Sequence, residues 1–206
     1  MNKRQAVRRE YQENAGEYDE DWSYYIQATT RETMKRLSLE QEDRVLDVGC
    51  GTGAMLKRLQ QASTASLAGV DLSTRMLHQA SNKLNGTVPL LSADAVSLPL
   101  RSNSFSLVVS CNAFHFFPDP LEFLREAGRI LEPGGRLVIT DWCDDFWACW
   151  LCDYYLRMRD SAHTQVYGGK DILNWLERTD FVNPKLESYK IDWLWGLMTV
   201  RAKRPE

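Results

Sequence analysis

Short apolar runs alternate with amphipathic stretches through residues 44–140 of this 206-residue chain. Apolar runs bounded by glycine, proline or polar residues predict strands, and apolar residues at helical spacing predict helices. The predicted strands are Arg44–Val48, Ser66–Val70, Val88–Leu91, Ser106–Cys111 and Arg136–Thr140, the last preceded by a predicted turn at Pro133-Gly134-Gly135. The predicted helices are Ala54–Gln61, Thr74–Leu84 and Pro120–Leu131. This alternation predicts a parallel sheet with helices on both faces.

The two ends of the chain show other patterns. Residues 4–38 are polar with embedded aromatic side chains, which predicts two helical segments broken near Gly16. Towards the C-terminus the pattern predicts two helices, Phe146–Arg159 and Lys170–Arg178, and two strands, Lys185–Ile191 and Leu194–Ala202. Because only about two residues separate these strands, they are predicted to be antiparallel. The expected sheet is therefore mostly parallel and finishes in an antiparallel hairpin.

Composition narrows the class of protein. The formal net charge of -3 gives no basic footprint for nucleic acid, so a nucleic-acid partner is not expected. The first twenty residues lack the apolar core of a signal peptide, and no apolar run approaches the roughly 18 residues of a membrane-spanning helix. Five cysteines without a framework spacing are typical of reduced thiols. We expect a single cytoplasmic domain without membrane insertion.

The most informative motif lies where the first strand ends. The strand finishes in Asp47, and glycines follow at alternate positions, Gly49, Gly51 and Gly53. Glycine lets a ligand approach the backbone, and ligands of open α/β sheets bind outside the carboxyl ends of the strands. The loop therefore predicts a cofactor cradle. A nicotinamide cofactor stays possible on these residues, because the Gly-x-Gly-x-x-Ala pattern beginning at Gly49, with an acid at Asp71, also satisfies the dinucleotide fingerprint.

Further features favour another cofactor. No Tyr is followed four residues later by Lys, a pair that hydride transfer would use, and the loop Ser92–Ala95 adds a second small acidic loop at the same sheet edge. The chain resembles the class I S-adenosylmethionine-dependent methyltransferases, most closely the small-molecule enzymes with a methyltransferase-11-type domain. The matching pieces are Val45–Gly53, Gly69–Ser73, Ala93–Ala95, Ser106–Phe116 and Leu131–Gly135.

The resemblance implies a Rossmann-like, seven-stranded, mostly parallel sheet with an antiparallel C-terminal hairpin and helices on both faces. It implies S-adenosylmethionine as the cofactor and S-adenosylhomocysteine as the product. One domain would then comprise a helical cap over the cofactor (1–40), a cofactor-binding core (41–140), and substrate-side helices with the antiparallel strand pair (141–206). The implied reaction is methyl transfer to a small-molecule acceptor.

The resemblance also assigns residues to the cofactor. The loop glycines Gly49, Gly51 and Gly53, together with Cys50, would contact its methionine part, and Asp47 would help to hold the amino group. Asp71 would accept hydrogen bonds from both ribose hydroxyls, since a carboxylate is an acceptor with two oxygens. Leu72 and Met76 would flank the adenine, Asp94 would accept from its exocyclic amine, and Ala95 would donate its backbone N–H. Tyr18 is the favoured contact from the cap.

The end of the fourth strand would lie beside the methyl group. There Cys111 and Asn112 would offer backbone contacts, and the run lacks the proline pair of enzymes that methylate adenine N6. His115 is the candidate general base toward a hydroxyl or thiol, and packing under the next loop is its structural alternative. A deprotonated acceptor would need no base, because the sulfonium methyl is already activated and needs only an aligned nucleophile.

Aromatic residues concentrate after the fifth strand, where this fold usually builds its substrate pocket. We expect an apolar pocket formed by Trp22, His115, Trp142, Trp147 and Trp195. The alternative is a buried core stripe, since Trp147, Trp150, Leu151 and Tyr154 recur at helical spacing. Cys149-x-x-Cys152 raises a thiol-bound metal, but zinc sites usually need four ligands and no further pair is present, so no metal is predicted.

The sequence leaves three other functions open. A methyltransferase for RNA or protein would show a basic rim beside the pocket, which composition does not indicate. A non-catalytic cofactor-binding or scaffold protein would bind without turnover. A nicotinamide enzyme would need the missing Tyr and Lys pair.

Overall fold

The computed structural model describes residues 3–13, 15–147, 149–151, 154 and 166–206. Its strands are β1 (Arg44–Val48), β2 (Ser66–Asp71), β3 (Leu90–Ser92), β4 (Phe105–Cys111), β5 (Leu131–Trp142), β6 (Val182–Lys190) and β7 (Gly196–Lys203). Its helices are α1 (Lys3–Glu13), α2 (Tyr18–Asp21), α3 (Ser23–Arg36), α4 (Ala54–Ala62), α5 (Thr74–Lys83), α6 (Pro120–Ile130) and α7 (Gly169–Glu177). The N-terminal segments break near Gly16 as predicted, but a second break at Trp22 separates α2 from α3, so the described residues here form three helices rather than the two predicted.

The described strands form one sheet in the order β3-β2-β1-β4-β5-β7-β6. The pairs from β3 across to β5 are parallel, whereas β7 runs antiparallel to both β5 and β6. The predicted fold class is therefore confirmed. The strand order reverses between β1 and β4, and in an open α/β sheet the crevice at such a switch point is where ligands bind.

Apolar side chains on the two faces of the sheet form two separate clusters. Val108 faces the cluster that contains Phe123 of α6, while its neighbour Leu107 faces the cluster that contains Leu56 and Leu59 of α4. Successive strand residues point to opposite faces, so an apolar run in β4 is buried on both sides. This double burial explains why the parallel strands appear in the sequence as continuous apolar runs.

The predicted two-residue turn between the last strands is wrong. The connection spans residues 191–195, and β7 begins at Gly196 rather than at Leu194. The Asp192 carboxylate accepts hydrogen bonds from the amides of Leu194 and Trp195 at 2.8 and 2.7 Å. An Asp side chain that bonds to amides just downstream builds a turn in place of strand pairing. The antiparallel direction of the pair is as predicted.

The turn predicted at Pro133-Gly134-Gly135 lies inside β5 as an irregularity. The β4–β5 pairing passes from Phe105 opposite Leu131 to Leu107 opposite Arg136, so the extra residues bulge from the ladder. Gly134 has a φ of +73°, which glycine adopts without steric cost. Strand five therefore begins earlier than the predicted Arg136.

The predicted helix Phe146–Arg159 is partly outside the described residues. Residues 147, 149–151 and 154 are helical, and the amide of Trp150 donates to the carbonyl of Phe146 at 2.9 Å. Over the parts of the chain that the structure describes, no helix has the length and apolarity needed to cross a membrane.

Candidate active site

A cleft opens at the carboxyl ends of β1, β2 and β4. Most of the residues that the sequence assigned to the cofactor line this cleft. They are Tyr18, Asp47, Gly49, Cys50, Gly51, Asp71, Leu72, Met76, Asp94, Ala95, Cys111 and Asn112. Parallel strands bring their carboxyl ends to one sheet edge, which is why residues so distant in sequence meet here. Their roles toward a ligand remain predictions.

Asp47 is the most unusual group in the cleft. Its side chain is 1% exposed, and neither carboxylate oxygen has a hydrogen-bond partner among the described residues. Burial, with a smaller contribution from the negative charge of Asp71, raises the pKa of Asp47 to about 8. A buried carboxylate without a partner is costly to the folded protein. Such a group at the wall of a cleft fits a cationic ligand atom, such as an ammonium group.

Asp71 ends β2 and is held by the backbone. Its Oδ2 accepts from the amide of Gly51 at 2.9 Å, and its Oδ1 accepts from the amide of Ser73 at 2.8 Å. Burial raises the pKa of Asp71, and the amide hydrogen bonds partly offset that rise. A carboxylate oxygen can accept more than one hydrogen bond, so both oxygens of Asp71 keep acceptor capacity for a ligand. The arrangement suits a pair of neighbouring hydroxyl groups.

Glycine is needed at the three loop positions for different local reasons. A Cβ on Gly49 would overlap the Cβ of Ala113, so this glycine allows the loop to pack on the residues after β4. A Cβ on Gly51 would meet nothing within 4 Å, so its backbone faces open space in the cleft. Gly53 does not line the cleft, and a Cβ there would lie 3.1 Å from that of Ala80. Close packing between α4 and α5 therefore gives Gly53 a structural reason, and its assignment to the cofactor stays a prediction.

Gly51→Ala is expected to weaken cofactor binding without a special loss of stability. The new methyl group would occupy the cradle, and the left-handed φ of +51° adds about 1 kcal/mol of strain. Gly86→Ala is the matched control, because Gly86 has a φ of +65°, an equally open Cβ position and no place in the cleft. Calorimetry should show a tenfold or greater loss of affinity, roughly 1.4 kcal/mol, for Gly51→Ala alone. Equal affinities in the two variants would show that the loop is not the cradle.

The adenine side and the β4 end are tied to their neighbours. Asp94 Oδ1 accepts from the amide of Val96 at 3.2 Å, which folds the acidic loop back on itself. Asn112 has a φ of +58°, and its Nδ2 donates to Thr29 Oγ1 of α3 at 2.6 Å. The segment after β4 is thus fixed by α3 while it lines the cleft.

Two tyrosines of the N-terminal helices complete the cleft. Tyr11 of α1 packs edge-on against Tyr18 at 5.7 Å and Phe116 at 5.1 Å between ring centroids. Burial raises the pKa of both phenols, which therefore stay neutral. Tyr11 and the exposed Arg8 also line the cleft, although only Tyr18 was assigned to the cofactor from the sequence.

A polar cluster fastens this cap to the core. Asp19 of α2 accepts from the hydroxyl of Thr52 at 2.6 Å and from Lys83 Nζ at 2.5 Å, and Lys83 also donates to Thr52 at 2.9 Å. The cluster joins the cap, the glycine loop and the end of α5. The same hydrogen bonds therefore hold the cap over the cleft and attach it to the glycine loop at the floor of the cleft.

His115 and Asp141 form a buried pair at the end of β4 and β5. His115 Nδ1 lies 2.8 and 2.9 Å from the two oxygens of Asp141, which also accept from the amides of His115 and Trp142 at 3.1 and 2.9 Å. An ionised carboxylate can only accept, so Nδ1 carries the proton and Nε2 is the atom able to take another. Sequence reasoning missed Asp141, although β4 and β5 pair at Cys111 and Thr140 and so bring these residues together.

The predicted apolar pocket is brought together in part. Trp142 lies 5.7 Å from His115 and 5.6 Å from Trp195, which in turn lies 6.2 Å from Trp22, all between ring centroids. None of these four rings lines the main cleft. Phe116 does line it, and the centroid of its ring lies 3.9 Å from that of His115. Trp147 is 69% exposed, which contradicts a buried stripe, while its place in the pocket stays a prediction.

Within the described residues, no group of three His, Cys, Asp or Glu side chains is arranged to hold a metal ion. Cys149 is buried, and its sulfur accepts from the amide of Gly196 at 3.1 Å. Cys152, the other thiol of the Cys-x-x-Cys spacing, lies outside the described residues.

Comparison with known proteins finds similarity to methyltransferases. Residues 46–139 match the family described as Methyltransferase domain. The chain is 33% identical over 134 residues to the 27-O-demethylrifamycin SV methyltransferase of Amycolatopsis mediterranei, across 61% of this chain and 49% of that protein. It is 28% identical over 201 residues to the demethylmenaquinone methyltransferase of Staphylococcus saprophyticus, across 91% of this chain and 85% of that protein. The chain thus spans about half the length of the first relative and most of the second.

A solved structure shows the same fold over nearly the whole chain. It is a chain from the complex between a Haloferax volcanii methyltransferase activator and a methyltransferase, with a TM-score of 0.84 and 19% identity, across 96% of this chain and 98% of that chain. At that identity the similarity supports the fold alone. Residues 46–139 thus match a methyltransferase domain, and the curated relatives of this chain are named as methyltransferases.

Proposed function

We propose that this chain transfers a methyl group from S-adenosylmethionine to a small, largely apolar acceptor, with His115 as the general base and Asp141 as its positioning residue. The observation that carries the cofactor is the buried, unpartnered carboxylate of Asp47 at the wall of the cleft. The observation that carries the base is the 2.8 Å contact between His115 Nδ1 and Asp141.

The residues of the cleft fit this cofactor. Asp47 would pair with its ammonium group, the open face of Gly51 would admit its methionine part, and Asp71 would accept from its two ribose hydroxyls. When bound, the cofactor supplies an activated methyl group on a sulfonium centre. The chain's own contributions are to cover the cleft with Tyr11 and Tyr18, to exclude water and to orient the acceptor.

The base would work through one nitrogen. Asp141 holds Nδ1–H, so Nε2 of His115 is available to take the proton of an acceptor hydroxyl or thiol as the methyl group is transferred. Because Asp141 is buried and accepts two backbone amides besides the imidazole, it keeps the ring in one orientation and one tautomer. The same geometry would stabilise the imidazolium after proton transfer.

The acceptor class follows from the side chains around the base. His115 is 7% exposed and contacts the rings of Phe116 and Trp142. A planar or apolar acceptor would gain from contact with these rings, while a strongly charged one would lose its hydration. The relatives named as 27-O-demethylrifamycin SV methyltransferase and demethylmenaquinone methyltransferase support a small organic acceptor.

His115→Ala is expected to lower the turnover number by about a hundredfold while leaving the dissociation constant for S-adenosylmethionine unchanged. Asp141→Asn should lower turnover too, because an amide would favour the wrong tautomer of His115. The assay is transfer of radiolabelled methyl to a panel of phenols, quinols and thiols, read as a pH profile. His78→Gln is the matched control, since His78 is exposed on α5.

The dependence of activity on pH should be weaker in His115→Ala than in the wild type, because the variant lacks the group proposed to take the proton of the acceptor. Unchanged turnover and an unchanged pH profile would remove His115 as the base but leave the methyl transfer itself intact. Cofactor binding without transfer to any acceptor would instead favour a non-catalytic protein.

A further inference from the structure

The strongly exposed large hydrophobic side chains concentrate in one region. Apart from Val182, those in the described residues lie on three segments and comprise Trp22, Tyr24, Trp147, Trp150, Leu151, Tyr154 and Trp193. We call these seven side chains the aromatic surface. Their exposed fractions run from 43% for Trp22 to 77% for Trp193.

Hydrogen bonds and a ring contact hold the three segments of the aromatic surface together. The hydroxyl of Tyr24 donates to the carbonyl of Ile191 at 3.2 Å, and Trp22 packs on Trp195. The amide of Gly196 donates to the sulfur of Cys149. The segments that carry Trp22, Trp150 and Trp193 are therefore neighbours, and their exposed side chains belong to one region of the molecule.

The helical segment that carries Trp147, Trp150, Leu151 and Tyr154 turns its apolar face towards solvent. Trp147, Trp150, Leu151 and Tyr154 follow the spacing of a single helix face, and each is more than half exposed. Cys149, on the opposite side of the turn, is fully buried. A helix on a protein surface normally turns its apolar stripe towards the core, and contiguous apolar patches that face solvent mark contact sites.

We propose that the aromatic surface docks on a zwitterionic phospholipid interface. Six of its seven side chains are Trp or Tyr, whose apolar rings and polar tips suit the headgroup level of a bilayer.

Charge selects the type of lipid. Acids flank the aromatic surface in the sequence: Glu20 and Asp21 precede Trp22, and Asp145 lies two residues before Trp147. In residues 189–195, which carry Trp193, Lys190 is the one cationic side chain. Carboxylates repel an anionic lipid surface, but they attract the quaternary ammonium of a choline headgroup, which also binds the faces of Trp rings. A bilayer of phosphatidylcholine therefore matches this surface, and a polyanion does not.

The aromatic surface also continues inward to the proposed base. Ring contacts run from Trp22 to Trp195, from Trp195 to Trp142 and from Trp142 to His115, at 6.2, 5.6 and 5.7 Å between centroids. An apolar acceptor dissolved in lipid would contact this row of aromatic rings before it reached His115. This delivery of the acceptor rests on the proposed function, whereas the lipid contact does not.

The test uses the full chain with vesicles of phosphatidylcholine, with and without phosphatidylglycerol. We expect co-sedimentation with phosphatidylcholine vesicles, weaker binding as phosphatidylglycerol is added, and quenching of tryptophan fluorescence by brominated phosphatidylcholine. Trp147→Ser combined with Trp193→Ser should weaken vesicle binding by tenfold or more, roughly tenfold for each 1.4 kcal/mol of lost apolar contact. Val182→Ser is the matched control, because Val182 is exposed outside the aromatic surface.

Both tryptophans of the double variant are well exposed, so its melting temperature and cofactor affinity should equal those of the wild type. Absence of binding to phosphatidylcholine vesicles, or equal binding by the double variant, would overturn the proposal. A concentration-dependent dimer that the double variant abolishes, without vesicle binding, would assign the aromatic surface to a second copy of the chain and would overturn it as well. None of these outcomes changes the expected cofactor binding, which is measured without lipid.

Discussion

Asp71→Ala should reduce the affinity for S-adenosylmethionine by about a hundredfold or more while the protein stays folded. The amides of Gly51 and Ser73 fix the carboxylate at the end of β2, so it reaches a ligand without a cost of ordering. Each hydrogen bond from a ribose hydroxyl to a charged acceptor contributes about 1.5–3 kcal/mol, and alanine removes both. S-adenosylhomocysteine has the same ribose and should lose the same factor.

Isothermal titration calorimetry measures this loss, and circular dichroism confirms the fold. Asp119→Ala is the matched control, since Asp119 is also a carboxylate that accepts a backbone amide, that of Glu122 at 3.0 Å, but it caps α6 outside the cleft. The control should lose about 1 kcal/mol of stability and no affinity. An Asp71→Ala protein with wild-type affinity would refute the ribose assignment.

Asp47→Asn should have opposite effects on stability and on binding. The pKa of Asp47 is raised to about 8 in the folded protein, so folding favours its protonated form. Its contribution to stability is complete below the unfolded pKa of about 4 and is lost as the pH rises towards 8, by up to about 1.4 kcal/mol per pH unit. The neutral amide removes this loss, so the cofactor-free variant should be more stable than the wild type at pH 8, as measured by urea unfolding.

The same substitution should weaken cofactor binding and flatten its pH dependence. In the wild type the ammonium group pairs with ionised Asp47, so affinity should rise as the pH increases towards 8, and binding should release protons. Methylthioadenosine lacks the amino acid part, so its affinity should depend little on Asp47 and strongly on Asp71. Equal effects of both substitutions on methylthioadenosine would contradict the assignment of Asp47 to the amino group.

The parts of the site on strand ends could be predicted from the sequence. Asp47 and Asp71 follow apolar runs that are buried on both faces, and parallel strands bring such ends to one edge. Asp141 could not be placed in the same way, because its contact with His115 depends on the register between β4 and β5 and on the turn that carries His115. The missing information was which atoms the imidazole meets, which no periodicity contains.

The aromatic segment shows the other limit of sequence patterns. Trp147, Trp150 and Tyr154 do share one helix face, as their spacing indicates, but that face points to solvent. Periodicity identifies residues on a common face and does not determine which way the face points; burial of Cys149 determines it here. Likewise, the hairpin direction was predictable, while the length of its turn depended on the Asp192 side chain.

The central claim is that this cleft binds S-adenosylmethionine, and the most direct measurement is a thermal shift series with S-adenosylmethionine, S-adenosylhomocysteine, NAD and NADP. A ligand at about 100 times its dissociation constant adds about 2.7 kcal/mol to the stability of the folded protein, which raises the melting temperature by roughly 5–10 °C at this size. We predict such a rise with the two sulfur nucleosides and none with the nicotinamide nucleotides. A rise with NAD or NADP alone, or with none of the four, would contradict the account.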